Sequence, residues 1–217
     1  MPMINGMSGR RLPRRLVQLF LGLALYGVSI AALVLADLGL MPWDVLHQGL
    51  ARLVDLSLGT VIIVVGVVLL LAWIPLRERP GVGTVANVVV VGLVADAVLA
   101  VVEPPSSLAV RIALAAGGIL LNAVATAAYV GVRLGAGPRD GLMTGLVRRT
   151  GRTVGLVRTS IEVAVVVSGW LLGGTVGVVT VVYALAIGPL VQPLLPRLTV
   201  SPAAPPTPPA AAPAPPG

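Results

Sequence analysis

The 217-residue chain is 57% hydrophobic and only 11% charged, with a mean hydropathy of +1.01. A soluble globule carries about a quarter charged residues, so the composition excludes a solvated surface and points to a polytopic, lipid-embedded protein. The net charge of +7 comes entirely from arginine and is topology information rather than nucleic-acid affinity; with no cysteine, disulfides and thiolate metal sites are excluded.

In chain order, residues 1–15 are polar, with Arg10, Arg11, Arg14 and Arg15 set against the first apolar run. Six spans are expected, at about 16–38, 58–76, 82–102, 108–132, 154–172 and 175–195, each long enough to cross a bilayer as a helix. Between the first and second spans, residues 42–55 read as an amphipathic helix. Trp43, Leu46, Leu50 and Leu53 share one face, with Asp44, His47, Gln48, Arg52 and Asp55 opposite. That helix is too short to cross, so it is expected at the interface or re-entering the membrane, and residues 138–152 form its counterpart. The chain then ends in a Pro/Ala-rich tail, 197–217, too poor in bulky apolar groups to fold.

The phrase Gly39-Leu40-Met41-Pro42-Trp43-Asp44 returns 96 positions later as Gly135-Ala136-Gly137-Pro138-Arg139-Asp140. With the same offset, Gly49, Arg52, Gly81, Thr84 and Gly92 match Gly145, Arg148, Gly177, Thr180 and Gly188, which marks an internal duplication of residues 16–100 and 111–196. Three spans per copy force the second copy to enter from the opposite side, an inverted arrangement common in secondary transporters. All arginines except Arg52 and Arg111 then fall on one side, which places both termini in the cytoplasm. The expected fold is therefore all-α: six transmembrane helices as two inverted three-helix repeats, each with a short interfacial amphipathic helix.

Pro42 and Pro138 suit the first turn of a helix, and Asp44 and Asp140 two residues later suit its positive end. Helix-start chemistry explains Gly39, Pro42, Gly135 and Pro138 as they stand. A sharper reading sets the two carboxylates at opposite ends of a solute path, because broken helices at repeat-related positions point to a transport site. Asp96 and Glu162 are ionisable groups inside spans, where such groups face a cavity or bundle interior; Arg158 can also pair with Glu162 at i,i+4. Asn87 and Tyr183 occupy equivalent repeat positions, as do Asp96 and Gln192, and the four make a candidate polar site. His47 is expected to be a solvated residue at the outer surface, and Trp43, Trp73 and Trp170 interfacial anchors. Gly22, Gly27, Gly66, Gly117, Gly118 and Gly188 are expected to permit close helix packing. Neither a metal site nor a cofactor is expected. No nucleophile elbow, zinc helix, phosphate loop or nucleotide fingerprint is present, and enzymatic activity is not expected.

Three phrases carry a resemblance: Met41-Pro42-Trp43-Asp44-Val45-Leu46-His47-Gln48-Gly49, Trp73-Ile74-Pro75-Leu76-Arg77, and Gly137-Pro138-Arg139-Asp140-Gly141-Leu142-Met143. Over residues 16–196 the chain resembles bacterial YczE-type integral membrane proteins of the YczE/YyaS/YitT group. The resemblance implies a multi-pass bacterial inner-membrane protein, and it carries no substrate, reaction or site residue. The Pro/Ala tail departs from that group's pattern. The residues themselves lead to the expectation of a small-solute or ion permease, embedded in lipid and working as a homodimer or with a membrane partner protein, because six spans is small for an autonomous transporter. The rival expectation is a non-transporting scaffold or accessory subunit of another membrane complex.

Overall fold

The computed structural model describes residues 12–200, which form eight helices and, among the described residues, no strand. Most of the expected basic N-terminal segment and the tail from residue 201 lie outside the described residues. The helices are α1 (Leu12–Ala36), α2 (Pro42–Val54), α3 (Leu58–Leu76), α4 (Val82–Leu99), α5 (Leu108–Gly131), α6 (Pro138–Thr150), α7 (Val154–Leu171) and α8 (Val178–Leu198). Six of them, all but α2 and α6, are long and apolar enough to cross a membrane. The expected tail boundary at residue 197 is too early. α8 continues to Leu198, where Gln18 Nε2 donates to the Leu198 carbonyl at 2.6 Å and so satisfies a helix-end acceptor.

Local chemistry sets the breaks. Pro42 and Pro138 open the two short helices at a position whose N–H has no helical partner. Ser57 and Thr153 cap α3 and α7, each accepting from the backbone N–H three residues on. Chain reversals use left-handed backbone at Asp37, Gly39, Asp55, Arg77, Arg133, Gly135, Gly151 and Gly173. These fall into four pairs, 37/133, 39/135, 55/151 and 77/173, each with the 96-residue offset seen in the sequence.

Packing repeats the same offset reciprocally. Arg15 donates to the carbonyls of Val132 and Arg133, and Arg111 donates to those of Ala36 and Asp37. The Gly83 N–H meets the Leu134 carbonyl at 2.9 Å, and the Val179 N–H meets the Leu38 carbonyl at 3.1 Å. A methyl on Gly39 would lie 2.7 Å from the Gly177 nitrogen, and one on Gly135 would lie 3.0 Å from the Gly81 Cα. Such i-to-j and j-to-i pairing is what an exchange of two like halves produces.

α1 and α5 form the axis of the bundle, making its most extensive helix contact. Gly22 sits on Ala125 and Ala128, and Gly118 on Leu33 and the Ser29 carbonyl, so the backbones approach closely. Leu19, Leu23, Ile30, Leu33, Ile119 and Ala123 fill the surrounding core. Each short helix crosses to the other half: α2 packs on α7, and α6 on α3. Valine and leucine side chains such as Val64, Val68, Leu71, Val163, Val167 and Leu185 face outward, as a lipid-covered surface requires.

Candidate functional site

The N-termini of α2 and α6 converge inside the bundle. Asp44, in the first turn of α2, is 1% exposed. Its Oδ1 accepts from His47 Nδ1 at 2.9 Å and, more loosely, from Arg139 in the first turn of α6 at 3.4 Å. Its Oδ2 is buried without a hydrogen-bond partner among the described residues. The Arg139 guanidinium lies 5.2 Å from the centroid of the Trp43 ring, a cation–π contact that ties the two helix tips together. Trp73, on α3, fixes α6 from behind by donating its indole N–H to the Pro138 carbonyl at 2.9 Å, with Gly141 leaving room for the ring.

α2 and α6 are not spanning segments, and their charged groups respond to enclosure in different directions. Burial pushes the Asp44 carboxyl up, but the hydrogen bond from His47 and the charge of Arg139 outweigh it and hold Asp44 below the ordinary range. Burial lowers the His47 pKa, which keeps the ring neutral with its Nδ1–H toward Asp44. Asp140 faces open space yet is enclosed by protein, and burial raises its pKa; Tyr129 donates its hydroxyl to Asp140 Oδ2 at 3.3 Å.

Beside this junction lies a cavity of about 450 Å³. Both halves line it: Tyr26 and Trp43 come from the first, and Arg139, Asp140, Glu162 and Gln192 from the second. Arg158 also lines it, paired with Glu162 at 2.9 Å along α7, which is the anticipated i,i+4 pair. Tyr183, also on the wall, donates to Asn122 Oδ1 at 2.8 Å, and Asn122 donates in turn to Ser29 Oγ at 2.8 Å. The cavity therefore offers a cation with spare donors, a weakly bonded carboxylate, and aromatic faces. Together these can hold a small polar solute.

Of the residues singled out in the sequence, the structure brings Asp140, Glu162, Tyr183 and Gln192 to this cavity, with Asp44 immediately behind it. Asp44 and Asp140 are neighbours of one arginine, not the two ends of a path. Asn87 and Asp96 lie elsewhere: Asp96 binds the start of α3, accepting from the Gly59 N–H at 2.7 Å and the Ser57 hydroxyl at 2.5 Å. His47 is buried rather than solvated: its Nδ1 lies 2.9 Å from Asp44 and 3.5 Å from Arg139 at the tip of α6, while Gln48 and Arg52 on the same side of α2 bond the turn after α7. Trp43 and Trp73 are interior parts rather than interfacial anchors, whereas Trp170 is exposed on the apolar surface. Gly117 and Gly188 meet nothing within 4 Å, so the expected close packing does not occur there. Sequence reading missed Arg139 and Tyr26. The signal available was a charged residue between Pro138 and Asp140, hidden by counting Arg139 among the arginines that set topology.

Comparison with known proteins gives one family match, to the description "Family of unknown function (DUF6198)", over residues 13–195. An "Uncharacterized protein" of Haemophilus influenzae is 39% identical over 174 residues, 80% of each chain. The "Uncharacterized membrane protein YczE" of Bacillus subtilis is 31% identical over 174 residues, 79% of this chain and 80% of its own. No solved structure matches.

Proposed function

Since this chain belongs to the DUF6198 family, whose Bacillus subtilis relative is by name a membrane protein, we propose that it is an inner-membrane permease for a small polar solute or ion. The observation that carries the reading is the cavity of about 450 Å³ at the meeting of the two short-helix tips, lined by charged and aromatic side chains from both halves. Ionisable groups inside a lipid-covered bundle are costly, and a solute path is the usual reason to keep them. A purely structural scaffold would be close-packed at that point.

The reciprocal contacts support a twofold relation between the halves. With three spans in each, this reading lays the axis in the membrane plane and inverts the halves. The arginine distribution supports termini in the cytoplasm, and α7 and α8 both contribute to the cavity wall. In the mechanism this implies, Arg139 and Asp140 contact solute, Trp43 supplies a face for it, and Asp44 and His47 position Arg139.

The test compares metabolites inside and outside cells carrying the wild type, cells carrying Arg139→Gln, and cells lacking the protein. The permease reading expects at least one small polar metabolite to redistribute with the wild type. Arg139→Gln, at equal membrane abundance, should behave as the null. Identical pools in all three, or full activity of Arg139→Gln, would contradict it.

A further inference from the structure

The two halves repeat each other in their turns, caps and arginine contacts, but at one seam they differ. In the first half α4 is drawn onto the start of α3. Gly59 and Gly92 abut, so that a methyl on Gly92 would lie 2.5 Å from the Gly59 carbonyl and 2.8 Å from Ile63 Cγ1. The Asp96 carboxylate clamps the seam, one oxygen on the Gly59 N–H at 2.7 Å and the other on the Ser57 hydroxyl at 2.5 Å. The second half carries the same parts at the same offset: Gly155, Gly188, Gln192 and Thr153. There they are apart. A methyl on Gly155 or on Gly188 would meet nothing within 4 Å, α7 and α8 make at most marginal contact, and Gln192 lines the cavity instead of reaching Thr153.

Resting on the permease reading, we infer that these seams are one gate in its two states, α3/α4 shut and α7/α8 open, which the protein exchanges during transport. In the exchanged state Gly155 and Gly188 abut, and the Gln192 carbonyl oxygen accepts from the Gly155 N–H and Thr153 hydroxyl. The Asp96 clamp releases, and the cavity opens between α3 and α4. The contacts broken at one seam are remade at the other, so the two states are close in free energy. Hydrogen bonds to a carboxylate are stronger than those to an amide, which favours the state with the Asp96 seam closed, the one this structure adopts.

The chain has no cysteine, so paired substitutions report each seam directly in membranes. Gly66→Cys/Val88→Cys marks α3/α4, where a methyl on Gly66 would lie 3.4 Å from the Val88 Cβ, close to the spacing a disulfide needs; the offset-matched pair Glu162→Cys/Ala184→Cys marks α7/α8. Under a mild oxidant both pairs cross-link on the full-length protein, although α7 and α8 make at most marginal contact in this structure. With all four cysteines present, molecules bridged at one seam are not bridged at the other. No bridge at 162/184, or both bridges in one molecule, overturns the exchange.

A second readout uses the lone thiol of Val88→Cys, buried while α3/α4 is shut. Adding Asp96→Asn raises its labelling rate, about tenfold for the loss of one charge-assisted bond. Gln192→Asp raises it likewise; no change with either substitution also overturns the proposal. These measurements need no solute. Exclusive cross-linking in cells whose metabolite pools do not respond would refute the permease reading alone. Responsive pools without a 162/184 bridge would refute the gate alone.

Discussion

Gly141→Ala tests how the site is held. Gly141 lies one turn into α6, directly against the indole of Trp73, whose N–H is bonded to the Pro138 carbonyl at 2.9 Å. A methyl there would enter the ring's own volume, 2.5 Å from Cη2, and Trp73 is only 2% exposed, with no free space into which to retreat. Forcing a methyl into a filled interior costs about 1–3 kcal/mol. Leaving the indole and carbonyl unpaired adds about 1–3 kcal/mol. Alanine's better helix propensity offsets up to about 1 kcal/mol, leaving a net loss of about 1–6 kcal/mol. In detergent, a temperature ramp read by the surviving monodisperse fraction should show melting lower by roughly 2–4 °C for each kcal/mol lost. In a Trp73→Ala background the same substitution should cost nothing, because the clashing ring is gone. An unchanged melting temperature in the wild-type background, or an equal loss in both, would refute the placement of α6 on α3.

Asp44→Asn leaves Arg139 without its carboxylate inside the bundle and should lower stability by about 3 kcal/mol, the lower end for breaking a buried pair, in the same thermal assay. Its pH dependence follows from the lowered Asp44 pKa: the stabilisation is full above the ordinary carboxylate value and is lost as pH falls through the depressed one. The wild-type advantage over Asp44→Asn should therefore shrink only in strong acid. Asp140 has the opposite sign, its raised pKa meaning that ionisation opposes the fold. Asp140→Asn should thus stabilise at neutral pH, with the gain vanishing as pH falls below the ordinary carboxylate value. Arg15→Ala and Arg111→Ala remove matched bonds from the two halves and should cost similar amounts, about 1–3 kcal/mol each; a loss confined to one would break the equivalence of the halves. Gly117→Ala, with nothing within 4 Å, should be neutral or stabilising by up to about 1 kcal/mol.

The spans were readable because apolar runs longer than a bilayer's thickness have few alternatives, and the breaks because Pro42 and Pro138 mark helix starts. What covers each face was not. Periodicity found the polar side of α2, but what meets it is distant protein: Arg139, 95 residues away from Asp44, and the turn after α7, bonded by Gln48 and Arg52. Trp73 followed the statistics of span ends and was placed at an interface, whereas its partner, the Pro138 carbonyl, is 65 residues distant. Asp96 was recognised as costly in a span, but its compensation comes from the Gly59 N–H of the preceding helix. The repeat matches Gly188 to Gly92; only the three-dimensional arrangement shows that Gly92 is packed against the neighbouring helix and that Gly188, expected to pack, is not. Local sequence specifies where a helix begins; which charges meet depends on long-range placement.

The inverted pairing of halves, on which the permease reading depends, is tested most directly by labelling single thiols in intact cells. Leu56→Cys lies in the turn after α2 and Arg152→Cys at the repeat-equivalent position after α6. A membrane-impermeant reagent should label Leu56→Cys from outside and reach Arg152→Cys only after the membrane is opened. Labelling of both from the same side would contradict the account.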